Sequence, residues 1–168
     1  MTDFDLYKRN ERTTDVWLTP RELVAALGSF DLDPCSPPPA SMPWSLAPRV
    51  FTEEEDGLSQ KWAGRVWMNP PYGTACKFWI ERLADHGDGI ALIFARVETT
   101  WFFRHVWDRA HGILFVKGRI KFCRIDGNPA INAPAPSVLI AYGEDNLTAL
   151  RESGISGHLV ELLEAPPP

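Results

Sequence analysis

Residues 89–95 read Gly-Ile-Ala-Leu-Ile-Phe-Ala, an almost unbroken apolar run without helical period. A strand buried on both faces has this pattern. Ser137 to Tyr142 (Ser-Val-Leu-Ile-Ala-Tyr) is read as the last clear strand. Shorter apolar stretches at 30–33, 50–52, 65–68, 113–116 and 120–122 predict further strands, the last two flanking Lys117-Gly118-Arg119. Between them the period changes. Thr19-Pro20-Arg21-Glu22 opens a helix, with Thr19 as N-cap, Pro20 at the first helical position and Glu22 closing a capping box. Leu23, Val24, Ala26 and Leu27 supply its apolar face, and Gly28 ends it. Residues 77–85 place Phe78, Ile80, Leu83 and Ala84 at helical spacing before Gly87. Thr99 caps a further helix over 100–110 that closes at Gly112. Strands alternating with helices predict an α/β sheet, largely parallel and covered on both faces.

The remaining stretches are irregular. Residues 1–15 are polar and charged and read as a flexible N-terminal arm; 16–163 form one domain, and 164–168 a Pro-rich tail. Six prolines between Pro34 and Pro48 exclude regular structure over most of that segment, and 53–56 is an acidic connector. A chain of 168 residues, 45% of them hydrophobic, is one domain that buries roughly 70% of its unfolded surface. No apolar run is long enough to span a membrane, and the N-terminus lacks the basic and apolar regions of a signal peptide. Three widely spaced cysteines without a CxxC pair support neither a disulfide framework nor a zinc site. The expectation is a cytoplasmic protein that needs no metal.

Charge qualifies this picture. The net charge of −5 argues against a polyanionic partner, but the charge is unevenly placed. Residues 77–124 hold nine Lys/Arg against five acids, while the flanking segments are acidic. Local field, not net charge, steers a polyanion.

The candidate chemistry lies in Asn69-Pro70-Pro71-Tyr72, a tight turn after the apolar run at 65–68. Two prolines stiffen it and bias Asn69 and Pro70 toward extended conformations. Neither proline has an N–H, so the Pro70 carbonyl is free to face a ligand. Asn69 adds a side-chain carbonyl and Tyr72 a flat aromatic face. Two acceptors beside a stacking platform suit a planar group with an exocyclic NH2. Adenine, cytosine and a glutamine amide all qualify.

The serial order Thr19-Pro20, Asp33-Pro34-Cys35, Asn69-Pro70-Pro71-Tyr72 resembles the S-adenosylmethionine-dependent DNA N6-adenine methyltransferases, and most closely the compact Dam-type family often carried by phages and prophages. The resemblance runs from Trp17 to about Tyr142. It also takes in Asp56-Gly57-Leu58, Gly118-Arg119-Ile120-Lys121-Phe122 and Ala135-Pro136-Ser137-Val138. It implies a compact Rossmann-like sheet with an antiparallel C-terminal strand, S-adenosylmethionine as cofactor and double-stranded DNA as partner, with no obligate protein partner. Trp17, Thr19 and Pro20 would lie along the methionine end of the cofactor. Asp33, Pro34 and Cys35 take the place of the first cofactor motif, and Asp56 and Leu58 that of the adenine-holding pattern. Asn69, Pro70, Pro71 and Tyr72 would be catalytic. Arg119 and Lys121 would touch DNA, and Phe122 would be a second aromatic wall for the target base. The family's glycine-rich turn after the first strand is absent here, replaced by Ser36-Pro37-Pro38-Pro39. Because the Pro-Pro-Tyr turn alone is shared with RNA and protein-glutamine methyltransferases, transfer to RNA, cytosine N4 or glutamine stays open, as does an idle relative that binds without turnover.

Overall fold

The computed structural model describes residues 18–38, 42–124 and 127–162. The expected arm, the tail and Trp17 lie outside them. A seven-stranded sheet forms the centre, in the order β2-β1-β3-β4-β8-β5-β9. These strands are β1 (Leu32–Asp33), β2 (Arg49–Val50), β3 (Val66–Met68), β4 (Gly89–Phe94), β5 (Gly112–Val116), β8 (Ser137–Tyr142) and β9 (Gly157–Glu161). A separate hairpin pairs β6 (Lys121–Cys123) with β7 (Pro129–Asn132). The helices are α1 (Arg21–Ala25), α2 (Cys76–His86), α3 (Thr100–Phe102) and α4 (Glu144–Glu152). Among the described residues no helix is long and apolar enough to cross a membrane.

Period-two alternation sorts the strand residues between two cores. Val66, Met68, Ala91, Ile93, Val138 and Ile140 join Trp79, Ile80 and Leu83 of α2 and Phe102 of α3 in one core. Trp67, Ile90, Leu92, Leu139 and Ala141 join Val24 of α1 and Leu147 and Leu150 of α4 in the other. Helices therefore cover both faces, as the pattern predicts. The expectation of a largely parallel sheet needs correction. β2, β1, β3 and β4 pair in parallel, but β8 inserts between β4 and β5 antiparallel to both. Edge strand β9 adds a third antiparallel pairing. The sheet is mixed because one reversed central strand creates two antiparallel neighbours.

Two helix expectations also change. The stretch after Thr99 is α-helical only over Thr100–Phe102, then widens into a π turn, Phe103–Trp107. The Tyr142 hydroxyl takes the His105 carbonyl, and Arg109 N–H turns to Val106 instead. Gly112 opens β5 and does not end the helix. In α1 the N-cap is Pro20, with no side-chain cap bond. Thr19 is employed elsewhere.

The end of the sheet opposite the carboxyl ends of β1 and β3 is closed by a polar network. The fully buried Asn146 side chain donates to Asp88 Oδ1 (2.8 Å) and the Tyr142 carbonyl (2.7 Å), and accepts from Arg65 Nε (2.7 Å). This fixes the entries to β3 and β4, and hence the register with which those strands deliver their far ends.

Candidate active site

Strand order reverses between β1 and β3, with β2 beyond one and β4 beyond the other. Open α/β sheets bind ligands beyond the carboxyl ends of strands at such a point. Asp33 ends β1, and Asn69 follows the last residue of β3. Two segments 36 positions apart are thus neighbours for a topological reason.

The turn after β3 is held from several sides. Pro70 is buried, Pro71 exposed, and Asn69 and Tyr72 half-buried. Asn69 Nδ2 donates to Thr19 Oγ1 at 3.2 Å, and the Tyr72 hydroxyl donates to Asn69 Oδ1 at 3.1 Å. Asn69 N–H points at the Cys35 sulfur. Among the described residues no backbone donor engages the Pro70 carbonyl, as expected of a turn whose prolines carry no N–H. The Tyr72 ring stacks on Phe94 at the end of β4, centroids 4.0 Å apart and planes 8° from parallel. Burial raises the Tyr72 hydroxyl above its ordinary pKa of 10, so it remains a donor at neutral pH.

Asp33, 4% exposed, accepts from the Cys35 N–H at 3.2 Å and from its thiol. Burial outweighs these bonds and lifts the carboxyl from 3.8 to about 7. Among the described residues no cation pairs with it. The Cys35 thiol is pushed well above its usual value, mainly by burial and then by Asp33, and burial pushes Cys76 up to about 12. Both stay protonated, so neither is a thiolate nucleophile.

Asp56-Gly57-Leu58 lies directly against Asp33-Pro34-Cys35. A Cβ added to Gly57 would stand 1.9 Å from the Pro34 carbonyl oxygen and 3.2 Å from the Trp79 ring. Only glycine permits this approach. The Gly57 carbonyl accepts from Trp62 Nε1 at 2.8 Å, and Trp62 stacks on Trp79 of α2. Asp56 is held left-handed (φ 49°), at a cost of roughly 1–2 kcal/mol for a non-glycine residue. Its carboxylate is exposed, while Leu58 and Cys35 pack on the same core.

The structure thus brings Thr19, Asp33-Pro34-Cys35, Asp56-Gly57-Leu58 and the 69–72 turn together. Pro20 is half-buried beside Thr19, and Trp17 is outside the described residues. Arg119 and Lys121 are exposed, and their hairpin adjoins this group because Leu18 and Cys123 exchange two backbone hydrogen bonds of 2.9 Å. Phe122 requires a correction. Strand alternation turns it inward, 3% exposed, into the core on which Tyr72 and Phe94 pack, so its ring offers no open face. The aromatic neighbour of Tyr72 is Phe94, which sequence reasoning missed. Its place at the end of the longest apolar run, on the strand beside β3, was the available signal.

The chain matches the DNA N-6-adenine-methyltransferase (Dam) family over residues 7–149, and it belongs to that family. It is 29% identical over 123 residues to the DNA N-6-adenine-methyltransferase of Escherichia phage T1, an alignment covering 68% of this chain and 49% of that relative. The chain therefore spans about half the length of the curated relative it matches. No solved structure matches.

Proposed function

We propose that the protein transfers a methyl group from S-adenosylmethionine to adenine N6 in double-stranded DNA, on a base flipped out of the duplex. The observation that carries this reading is the meeting of two distant segments with the 69–72 turn: Thr19 and Cys35 contact Asn69, as does Tyr72 of its own turn. The donor set fits the cofactor. A buried carboxylate whose partners among the described residues are both in Cys35 suits an ammonium, and exposed Asp56 suits an amino or hydroxyl group. The sheet itself is then an abbreviated Rossmann-like one, with β2, β1, β3 and β4 as its parallel half.

When bound, the cofactor supplies a methyl group activated by an adjacent positive sulfur. The chain supplies position and charge stabilisation. Adenine N6 is a poor nucleophile because its lone pair is delocalised into the ring. Asn69 Oδ1 and the Pro70 carbonyl accept from N6, favouring a tetrahedral nitrogen with a localised lone pair. Both acceptors gain strength as N6 becomes cationic, which is where catalysis arises. Tyr72 stacks on the base and holds it in line. The proton leaves N6 afterwards to water, so no general base is needed. Flipping costs a few kcal/mol, and stacking worth roughly 1–3 kcal/mol offsets much of it. Exposed Arg119 and Lys121 would contact phosphates.

The test is transfer of a labelled methyl group in a mixture of DNA, RNA and protein, followed by identification of the modified base. Label in N6-methyladenine of DNA is the expected result. Label confined to RNA, cytosine or protein would overturn the assignment.

A further inference from the structure

We infer that Thr19 is a positioning residue for this reaction, pinning the Asn69 carboxamide so that Oδ1 faces the acceptor amine. The inference rests on the methyl-transfer reading above and assigns Thr19 a role different from contact with the cofactor. Thr19 is 2% exposed and precedes a helix, yet its hydroxyl makes no cap bond. It receives Asn69 Nδ2 instead, at 3.2 Å. At the other end of the same amide, Oδ1 receives the half-buried Tyr72 hydroxyl. An incoming amine needs Oδ1, and when it takes over from the Tyr72 hydroxyl, Thr19 is the tether that remains.

That tether is rigid. Leu18 is fixed to Cys123 by two backbone hydrogen bonds of 2.9 Å. On the other side, Pro20 has a restricted φ, and its carbonyl accepts from Leu23 and Val24 at 3.1 and 3.4 Å. Thr19 is thus clamped between a strand bridge and a helix start. Without its hydroxyl, the Asn69 amide would sample orientations in which NH2 meets the amine donor and no acceptor is presented. Holding the acceptor beforehand removes that reorganisation from the reaction. The same hydrogen-bonded path places the hairpin bearing Lys121 one residue from the tether.

Thr19→Val removes the hydroxyl at nearly constant volume, and Thr19→Ser keeps it. Single-turnover methylation should fall roughly tenfold to a hundredfold in Thr19→Val, with cofactor Kd within about twofold of wild type, and Thr19→Ser should recover most of the rate. In an Asn69→Ala background, Thr19→Val should cost nothing more, because it acts through the missing amide. A readout independent of activity is the Asn69 side-chain NH2 pair in the amide NMR spectrum, assigned by its loss in Asn69→Ala. The pair should shift and exchange faster with solvent in Thr19→Val. An unchanged NH2 pair, a multiplicative loss in the double variant, or weaker cofactor binding with normal turnover would overturn the inference. If wild type methylates no adenine while the NH2 pair still responds to Thr19, the methyl-transfer reading falls, and with it the catalytic role of a hydrogen bond that itself stands.

Discussion

The Tyr72 ring lies flat on Phe94, centroids 4.0 Å apart, while its hydroxyl donates to Asn69 Oδ1. One face of the proposed stacking platform is therefore already covered, and the proposed acceptor Asn69 Oδ1 is already engaged. In the proposed reaction, a base entering the site would use the other face of Tyr72 and compete with its hydroxyl. Tyr72→Phe removes the competitor and keeps the ring, so methylation should stay within about threefold of wild type. Tyr72→Ala removes the platform, whose stacking is worth about 1–3 kcal/mol, and should depress both base capture and turnover. Parallel loss in both variants would assign the essential role to the hydroxyl.

Asn69→Ala leaves the prolines and both proposed cofactor motifs in place but removes one of the two proposed acceptors. Its interaction is strongest when N6 is cationic. Single-turnover rate should drop by about 10²–10³-fold, the scale of one preorganised partner at a developing charge, with cofactor Kd nearly unchanged. Near-normal methylation by a folded Asn69→Ala protein would make the turn structural only.

Gly57 is where steric exclusion meets the two proposed cofactor motifs. Its added Cβ would meet Pro34 backbone at 1.9 Å, which no rotamer change relieves. Gly57→Ala should therefore displace the two motifs and abolish measurable cofactor binding, while lowering stability by about 1–3 kcal/mol. Gly154→Ala is the control. That glycine has φ 69° but open space around it, so it should lose roughly 1 kcal/mol or more to backbone strain and keep cofactor affinity. Calorimetry and denaturant titration separate the two.

Much of this was legible in the chain because period and motif order are local signals. The uninterrupted run at 89–95 identified β4, and Gly87 marked the end of α2, where it is left-handed (φ 78°). The second half of the fold was harder. Leu147 and Leu150 are the only buried apolar residues of α4, too few for a clear helical face. Edge strand β9 is exposed or half-buried along its length and shows no alternation. The position of β8 between β4 and β5 depends on pairing with β4 partners such as Phe94↔Ser137 and Gly89↔Tyr142, far apart in the chain, which no local pattern encodes. At the site, motif order placed Asp33, Asn69 and Tyr72, but a strand's inward alternation buried Phe122, and tertiary contact redirected Thr19 from helix cap to Asn69.

Arg119, just before the hairpin, and Lys121, its first residue, are exposed, and neither forms an ion pair among the described residues. If they follow the phosphate backbone, replacing either by Ala should weaken binding across DNA sequences alike. The slope of log affinity against log salt should become shallower by about 0.9 for each phosphate no longer neutralised. Unchanged slopes in both variants would move the phosphate track elsewhere.

Asp33 would tie the proposed cofactor site to pH. Its carboxyl is raised from 3.8 to about 7, so the folded state holds the proton more tightly than the unfolded chain does. The stabilisation this gives is complete below pH 3.8 and is lost as pH rises to about 7, at up to about 1.4 kcal/mol per pH unit. Asp33→Asn cannot ionise, so it should be flatter over that window and gain stability relative to wild type above it. Cofactor binding follows the opposite trend. An ammonium beside Asp33 favours the carboxylate and lowers its pKa, so binding near neutral pH should release a proton and weaken as pH falls below about 7. Calorimetric titrations in buffers of different ionisation enthalpy measure that proton directly. Binding with no proton release in wild type, or with the same release in Asp33→Asn, would show that the cofactor's charge is met by some other group.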